Sequence, residues 1–173
     1  MNTLHDRFAR IRTFIFDVDG VLTDGTVNAL ASGEQFRTFY IQDGYGIERA
    51  IKAGFEVAIV SAGNQDGVRK RLEFLKIKTN NVFMGGPTDH KVNAYLGYLT
   101  RDALNEAEVL YMGDDLPDLQ ILSRPMLLST CPADAADEIR AVCDYVSPKP
   151  GGRGAVRDVI EQVMKAQGKW GAS

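Results

Sequence analysis

Four short apolar runs divide the chain. Each run is rich in β-branched or aromatic residues and is too short for a helix, which is typical of strands buried on both faces of a parallel sheet. The runs cover residues 13–16, 56–60, 109–112 and, more weakly, 126–128. The sequence therefore predicts a central sheet built on these strands.

Helical patterns occupy the intervals between the runs. Apolar residues recur there every three or four positions, with a glycine or an aspartate near many of the starts. Strands that alternate with helices predict an α/β fold with a doubly wound, Rossmann-like parallel sheet, in a single domain over residues 1–173. Such a sheet binds its ligands beyond the carboxyl ends of its strands. The predicted helices cover residues 46–53, 66–75, 90–104, 115–122, 133–142 and 155–166.

One segment, residues 25–41, departs from this alternation. Its apolar residues are separated by polar ones, and Ser32 and Gly33 give a turn signal in the middle. This pattern predicts a β-hairpin. Because it follows the first strand directly, we expect the hairpin to overhang the strand ends as a flap over the active edge. Two more edge strands of the sheet are the alternative.

Composition and charge exclude several classes of protein. The 173 residues are 45% hydrophobic and 25% charged, the balance of an ordinary soluble globular protein. The formal net charge of -3 leaves no basic excess to neutralise nucleic-acid phosphates, and no apolar stretch approaches the roughly 20 residues that span a bilayer. Cys131 and Cys143 are too few for a disulfide framework. We therefore expect a cytoplasmic protein that binds neither nucleic acid nor membranes.

Acidic residues follow two of the predicted strands. Asp17 and Asp19 come at the end of the first run, and the cluster Asp114, Asp115 and Asp118 follows the third. Both clusters lie where strands of a doubly wound sheet end, and carboxylate oxygens are the ligands that Mg²⁺ prefers. The sequence thus predicts a magnesium site there. An N-cap of the next helix is an equal alternative for Asp115, and the role of Asp118 stays open.

A hydroxyl and an ammonium group complete the candidate chemistry. Ser61, Ala62 and Gly63 follow the second run, and Lys91 opens a later predicted helix. A hydroxyl and the backbone amides of small residues can hold phosphoryl oxygens, while an ammonium offsets their charge. Singly, Ser61 is also typical of a turn and Lys91 of a solvated surface. Their order between the two acidic clusters is what favours a phosphoryl site.

The run DVDGVLT, which begins at Asp17, resembles the most specific motif of the haloacid dehalogenase (HAD) superfamily of phosphohydrolases. The resemblance implies that Asp17 is a nucleophile that takes the phosphoryl group as an aspartyl phosphate, and that Asp19 is the general acid/base. It implies that Ser61 binds the phosphoryl group and that Lys91 steadies both nucleophile and phosphate. Mg²⁺ would be bound by Asp17, by Asp114 and by the main-chain carbonyl of Asp19.

A narrower resemblance follows from the length of the chain and from two further segments. Most HAD proteins carry a cap domain, for which this chain has no room. Residues 39–47 (FYIQDGYGI) and 151–157 (GGRGAVR) look like signature stretches of capless phosphatases that act on 3-deoxy-D-manno-octulosonate 8-phosphate, a lipopolysaccharide precursor. This resemblance implies a homotetramer. The hairpin and the C-terminal tail, about residues 148–173, would then complete the pocket of a neighbouring subunit.

Some positions differ from the pattern of that family. The family usually has an arginine where Gly63 stands and another where Gln42 stands, and Asp158 replaces a glutamate. Arg71 and Arg153 do match positively charged family positions. They could bind the carboxylate of a 2-keto sugar acid phosphate. Which subunit supplies them is left open by the sequence.

The departures keep other functions open. A nine-carbon nonulosonate 9-phosphate is an alternative substrate, and a non-catalytic oligomerisation module is an alternative of another class. A phosphoreceiver signalling domain also uses Mg²⁺, an acidic cluster and a lysine on a doubly wound sheet. That class has adjacent acids on its first strand, whereas here the adjacent pair, Asp114 and Asp115, comes late. The sequence therefore favours a Mg²⁺-dependent phosphomonoesterase.

Overall fold

A computed structural model describes residues 3–86 and 90–171. The first two residues of the predicted domain and the last two of the predicted tail lie outside the described residues. Within the described part, no helix is long and apolar enough to cross a membrane. The strands are β1 Thr13–Phe16, β2 Asn28–Ala29, β3 Gln35–Phe36, β4 Glu56–Ser61, β5 Val82–Met84, β6 Val109–Met112, β7 Leu128–Cys131 and β8 Tyr145–Val146.

Six of these strands form one parallel sheet in the order β5-β4-β1-β6-β7-β8. β1 lies between β4 and β6, with Phe16 opposite Ile59 on one side and Met112 on the other. The predicted strands at residues 13–16, 56–60 and 109–112 are confirmed. Since all three run in parallel, their carboxyl ends meet at one edge of the sheet.

Helices cover both faces of the sheet. Phe14 and Phe16 of β1 pack into a core with α1, α2, α3 and α7, whereas Ile15 packs on the opposite face with α4, α5 and α6. This alternation along one strand confirms the predicted doubly wound α/β fold. The helices are α1 Leu4–Arg10, α2 Ile41–Lys52, α3 Asp66–Phe74, α4 His90–Arg101, α5 Leu119–Leu122, α6 Asp137–Val142 and α7 Ala155–Ala166.

The weakest predicted strand is displaced. The prediction at residues 126–128 is wrong because the strand begins at Leu128 and continues through two polar residues. Ser129 and Thr130 are buried, and their hydroxyls donate hydrogen bonds to a carboxylate and to a main-chain carbonyl. Buried polar groups that are hydrogen bonded in this way leave no apolar pattern in the sequence. Met126 lies outside the strand, with 55% of its surface exposed.

Helix α2 begins earlier than predicted, and the reason lies in two glycines. The sequence predicts a start at residue 46, whereas the structure begins the helix at Ile41. Gly44 and Gly46 make the first turns of the helix hard to predict from the sequence, because glycine is a poor helix former. Both allow close packing: an added Cβ would lie 2.6 Å from Nη2 of Arg71 at Gly44 and 3.2 Å from Cδ of Arg157 at Gly46.

The predicted hairpin is present. β2 and β3 pair antiparallel, with Asn28 opposite Phe36, and the turn places Gly33 at a φ of 85°. A residue without a Cβ suits this left-handed conformation. Val27, Leu30 and Phe36 are each nearly half exposed. The hairpin therefore presents apolar surface to its surroundings.

The two segments that carry the narrower resemblance contact one another. Asp43, on α2, accepts hydrogen bonds from the backbone N–H groups of Gly154 at 3.2 Å and Arg157 at 2.8 Å, at the start of α7. Gly151 approaches the loop after β1 so closely that an added Cβ would lie 1.9 Å from the carbonyl oxygen of Gly20. These glycines and this aspartate thus hold the C-terminal loop against the loop that carries the DxDG motif.

We expect Asp43→Ala to lower the free energy of unfolding by about 2–3 kcal/mol, because one buried and one partly buried N–H group at a helix start lose their acceptor. Burial raises the pKa of Asp43 to about 6, so chemical denaturation is measured at pH 8, where the carboxyl is ionised. Asp66→Ala is the control, since Asp66 is an exposed acid in the first turn of α3. Equal stability of the two variants would contradict the capping role.

Candidate active site

The carboxyl edge of the sheet brings the predicted phosphoryl-site residues together. Asp17 follows β1, Ser61 ends β4, Asp114 follows β6 and Lys91 lies in the first turn of α4. They line one cavity of about 270 Å³. The lining consists of Asp17, Asp19, Gly25, Ser61, Ala62, Gly63, Lys91, Asp114, Asp115, Pro117 and Asp118.

Asp17 is held by contacts on each of its carboxylate oxygens. Its backbone N–H donates to the carbonyl of Met112 at 3.1 Å, which continues the pairing of β1 with β6. The N–H of Val18 donates to Oδ1 at 2.6 Å, and Nζ of Lys91 donates to Oδ2 at 2.7 Å. Asp17 and Lys91 are only 5% and 3% exposed. The ion pair is therefore shielded from water. At a buried position the attraction between the two charges is stronger than at the protein surface.

Asp118, whose role the sequence leaves open, orients Lys91. Its Oδ1 accepts from Nζ of Lys91 at 2.9 Å and from the hydroxyl of Tyr111 at 2.6 Å. Its Oδ2 accepts from the N–H of Asp114 at 3.4 Å. Asp118 is fully buried, so these donors are what stabilise its charge. The lysine thus lies between two carboxylates with its ammonium group fixed.

Asp115 serves a structural purpose in this cluster. Its side chain is exposed and its Oδ1 accepts from the N–H of Leu116 at 2.8 Å, at the start of the short 3₁₀ turn Leu116–Asp118. This is the N-cap that the sequence offered as an alternative. The cap fixes the turn that carries Asp118 towards Lys91.

The carboxylates form a site with an excess of negative charge. Oxygens of Asp17, Asp114 and Asp118 lie within 4.8 Å of one another. Burial and the charge of Asp118, opposed by Lys91, raise the pKa of Asp17 to about 7. Burial and the charges of Asp17 and Asp118 raise the pKa of Asp114 to about 7 as well. One ammonium does not balance three carboxylates, so the donor set fits a hard divalent cation.

A glycine is required next to this cluster. Gly20 has a φ of 82°, and an added Cβ would lie 1.9 Å from Oδ2 of Asp114. A side chain here would displace the Asp114 carboxylate from the acidic cluster, and the positive φ itself disfavours any residue with a Cβ. The glycine of the DxDG motif is thus explained by the second acidic cluster, far away in the sequence.

Asp19 makes a contact that the sequence did not reveal. Arg37, which follows β3 of the hairpin, donates from Nε to Oδ1 of Asp19 at 2.7 Å and from Nη2 to Oδ2 at 3.2 Å. The Arg37 side chain is 5% exposed and that of Asp19 37% exposed. No pattern around Arg37 indicates this pairing, because an arginine in a hairpin is usually solvated.

The remaining predicted binding residues divide into two groups. Ser61 is buried with Gly63 N–H donating to its Oγ at 3.3 Å, and both line the cavity with Ala62. Neither Arg71 nor Arg153 is among the lining residues. The guanidinium of Arg71 lies over the ring of Phe74, and the Arg153 side chain is 58% exposed. Binding of the substrate carboxylate by these arginines stays a prediction.

Comparison with known proteins gives relatives over most of the chain. No family model matches the chain. The 3-deoxy-D-manno-octulosonate 8-phosphate phosphatase KdsC of Escherichia coli K12 is 38% identical over 159 residues, which are 92% of this chain and 82% of the relative. A HAD superfamily (subfamily III A) hydrolase from Legionella pneumophila has a TM-score of 0.91 at 33% identity, covering 98% of this chain and 90% of that one.

A third similar protein was solved with ligands. This protein is the 3-deoxy-D-manno-octulosonate 8-phosphate phosphatase of Moraxella catarrhalis, whose structure has a TM-score of 0.89. It was solved in complex with a magnesium ion, a phosphate ion and KDO (3-deoxy-D-manno-octulosonate). It is 33% identical, with 97% of this chain and 94% of that chain covered. Identity of this size over nearly the whole length confirms the resemblance inferred from the motifs. The chain is therefore a phosphatase that belongs to the 3-deoxy-D-manno-octulosonate 8-phosphate phosphatase family of the HAD superfamily.

Proposed function

We propose that this phosphatase hydrolyses 3-deoxy-D-manno-octulosonate 8-phosphate through an aspartyl phosphate on Asp17, with Mg²⁺ as cofactor. The observation that carries the proposal is the buried ion pair of Asp17 with Lys91 beside the acidic cluster. The Moraxella catarrhalis relative, which holds magnesium, phosphate and KDO, supports both the metal and the sugar acid.

In the first step, a carboxylate oxygen of Asp17 attacks phosphorus and the bond from phosphorus to the sugar oxygen breaks. Asp19 gives its proton to the departing oxygen, so the sugar leaves as an alcohol. Lys91, held by Asp118, reduces the repulsion between the carboxylate and the phosphoryl group. Mg²⁺, bound by Asp17, Asp114 and the Asp19 carbonyl, would neutralise further negative charge at this centre.

In the second step, Asp19 takes a proton from a water molecule that attacks the aspartyl phosphate. The bond between phosphorus and the Asp17 oxygen breaks, and inorganic phosphate leaves with the carboxylate restored. The Ser61 hydroxyl and the backbone amides of Ala62 and Gly63 line the same cavity and bind the phosphoryl oxygens in both steps.

Comparison of kcat/KM values tests the substrate assignment. Phosphate release is measured with 3-deoxy-D-manno-octulosonate 8-phosphate, a nonulosonate 9-phosphate and glucose 6-phosphate, which lacks the carboxylate. We expect kcat/KM for the eight-carbon acid to exceed that for the neutral sugar by about 10²-fold or more, since a site that pairs a carboxylate rejects a substrate without one. A higher value for the nonulosonate would assign that substrate instead, and release from none would favour the oligomerisation module.

We also propose a homotetramer, in which the hairpin closes the site of a neighbour and Arg71 and Arg153 reach the sugar acid from another subunit. The nearly half-exposed Val27, Leu30 and Phe36 support this, because apolar side chains on a protruding hairpin are typical of an interface. A shared lid would exclude water from a site that no cap domain covers within the described residues.

We further propose that the protein works in the reducing cytoplasm. The two free cysteines, Cys131 and Cys143, support this compartment.

Loss of the apolar hairpin surface tests the shared lid. We expect the double variant Leu30→Ser, Phe36→Ser to dissociate in light scattering and to lose at least about tenfold in kcat/KM, because the lid is no longer held. Met126→Ser is the control, since Met126 is similarly exposed outside the hairpin. A fully active 19.0 kDa monomer of the unaltered chain would contradict the proposal.

A further inference from the structure

Arg37 is a buried cation on an otherwise exposed hairpin. The strands β2 and β3 are exposed throughout, whereas the Arg37 side chain keeps only 5% of its surface exposed. Burial of a guanidinium is unfavourable unless its donors are paired. Arg37 therefore needs acceptors near the place where the hairpin meets the active site.

Asp19 supplies these acceptors in a two-point contact. Nε and Nη2 of Arg37 each donate to a different oxygen of the Asp19 carboxylate, at 2.7 and 3.2 Å. Such a fork fixes the plane of a carboxylate as well as its position, which a single hydrogen bond does not. The third nitrogen, Nη1, is buried and has no hydrogen-bond partner among the described residues. Within the described part of the chain, the guanidinium is therefore anchored by Asp19.

We propose that Arg37 is a positioning residue for the general acid/base: it holds the Asp19 carboxylate in the orientation that serves the leaving oxygen and the attacking water. The proposal rests on the proposed function, in which Asp19 moves these protons. It adds a residue outside the DxDG motif to the machinery and gives the hairpin a second role. Through this contact, the position of the hairpin and the orientation of the Asp19 carboxylate depend on each other.

The freedom of Asp19 explains why such a residue is useful. Asp17 is fixed by Val18 and Lys91, whereas the Asp19 side chain is 37% exposed. A partly solvated carboxylate samples several rotamers unless a partner restricts it. Misplacement of a reacting group by about 1 Å can cost about 10²-fold in rate. We therefore expect the contribution of Arg37 to fall on kcat.

Kinetics of two substitutions separate orientation from charge. Arg37→Met keeps an apolar stem and removes the donors, and we expect kcat to fall about 10²-fold while KM changes by less than about threefold. Arg37→Lys keeps the charge with a single point of contact, and we expect about tenfold of the loss to be regained. Arg12→Met is the control, since Arg12 is exposed and precedes β1 at the end opposite Asp17. A raised KM with unchanged kcat would overturn the proposal.

A double-mutant cycle tests whether Arg37 acts through Asp19. If it does, Arg37→Met combined with Asp19→Asn is no slower than Asp19→Asn alone. Independent, multiplying losses would overturn the proposal. All variants are assayed with the sugar acid phosphate and with p-nitrophenyl phosphate. If the unaltered enzyme hydrolyses p-nitrophenyl phosphate but not the sugar acid phosphate, that result counts against the proposed function. The double-mutant cycle measured with p-nitrophenyl phosphate then still decides the role of Arg37.

A crystal structure of the Arg37→Met variant gives a readout independent of turnover. We expect the Asp19 carboxylate to rotate away from its place beside the cavity, with Asp17 and Lys91 unmoved. An Asp19 carboxylate that keeps its orientation without the arginine would overturn the proposal. Thermal unfolding of the same variant shows whether the hairpin change has altered the fold as a whole.

Discussion

Asp17→Asn is expected to lower phosphate release by about 10⁴-fold or more while the protein remains folded. The amide is a poor nucleophile and brings no charge to the cation. Its loss of charge also removes repulsion from Asp118, which together with burial raises the pKa of Asp17. We therefore expect the melting temperature in metal-free buffer to stay the same or to rise. Malachite-green phosphate detection and thermal unfolding check the two parts.

Asp115→Asn is the matched control for this prediction. It removes one carboxylate from the rim of the same cavity, yet the amide oxygen can still accept the N–H of Leu116. We expect activity within about threefold of the unaltered enzyme, as for surface substitutions that keep a cap. Near-normal turnover of Asp17→Asn, or equal loss in both variants, would contradict a nucleophilic Asp17.

Chelation is expected to abolish turnover, and added Mg²⁺ is expected to restore it. The oxygens of Asp17, Asp114 and Asp118 are grouped within 4.8 Å with one lysine beside them. Without a cation, a further anionic phosphoryl group would meet this uncompensated charge. Asp114→Ala should therefore behave like permanent chelation and resist rescue by Mg²⁺ up to millimolar concentrations. Full activity after EDTA treatment would contradict the metal site.

The affinity for Mg²⁺ is expected to weaken as the pH falls. Asp17 and Asp114 both have a pKa of about 7 without metal, above the usual range of an aspartate, so protons compete with the cation below that pH. Two such groups predict about 100-fold weaker binding at pH 6 than at pH 8, with protons released on binding. Isothermal titration calorimetry in buffers of different ionisation enthalpy measures both. An affinity independent of pH would contradict the raised pKa values.

The sequence predicts the elements whose pattern is local. β1, β4 and β6 are apolar runs, and the residues that follow them converge because parallel strands end at one edge of the sheet. Asp17, Ser61 and Asp114 could be grouped on that ground alone. β7 could not be placed correctly, because the hydroxyls of its buried Ser129 and Thr130 are hydrogen bonded to partners that are distant in the sequence.

Contacts between distant segments are what the sequence could not supply. Arg37 pairs with Asp19 only because the hairpin folds back onto the strand ends. Asp118 orients Lys91 only because the turn after β6 lies beside α4. Arg37 is an ordinary charged side chain in the sequence and Asp118 is one member of an acidic cluster, and neither lies at a spacing that indicates its partner. Their functional interpretation requires the three-dimensional arrangement.

Mass spectrometry of an acid-quenched reaction tests the central claim most directly. The enzyme is mixed with Mg²⁺ and 3-deoxy-D-manno-octulosonate 8-phosphate, quenched within the first turnover and digested. We predict one phosphoryl group on the peptide that contains Asp17, which disappears as phosphate is released and is absent from Asp17→Asn. Phosphate release in the first turnover with an unmodified Asp17 peptide, or a phosphoryl group on another residue, would contradict the account.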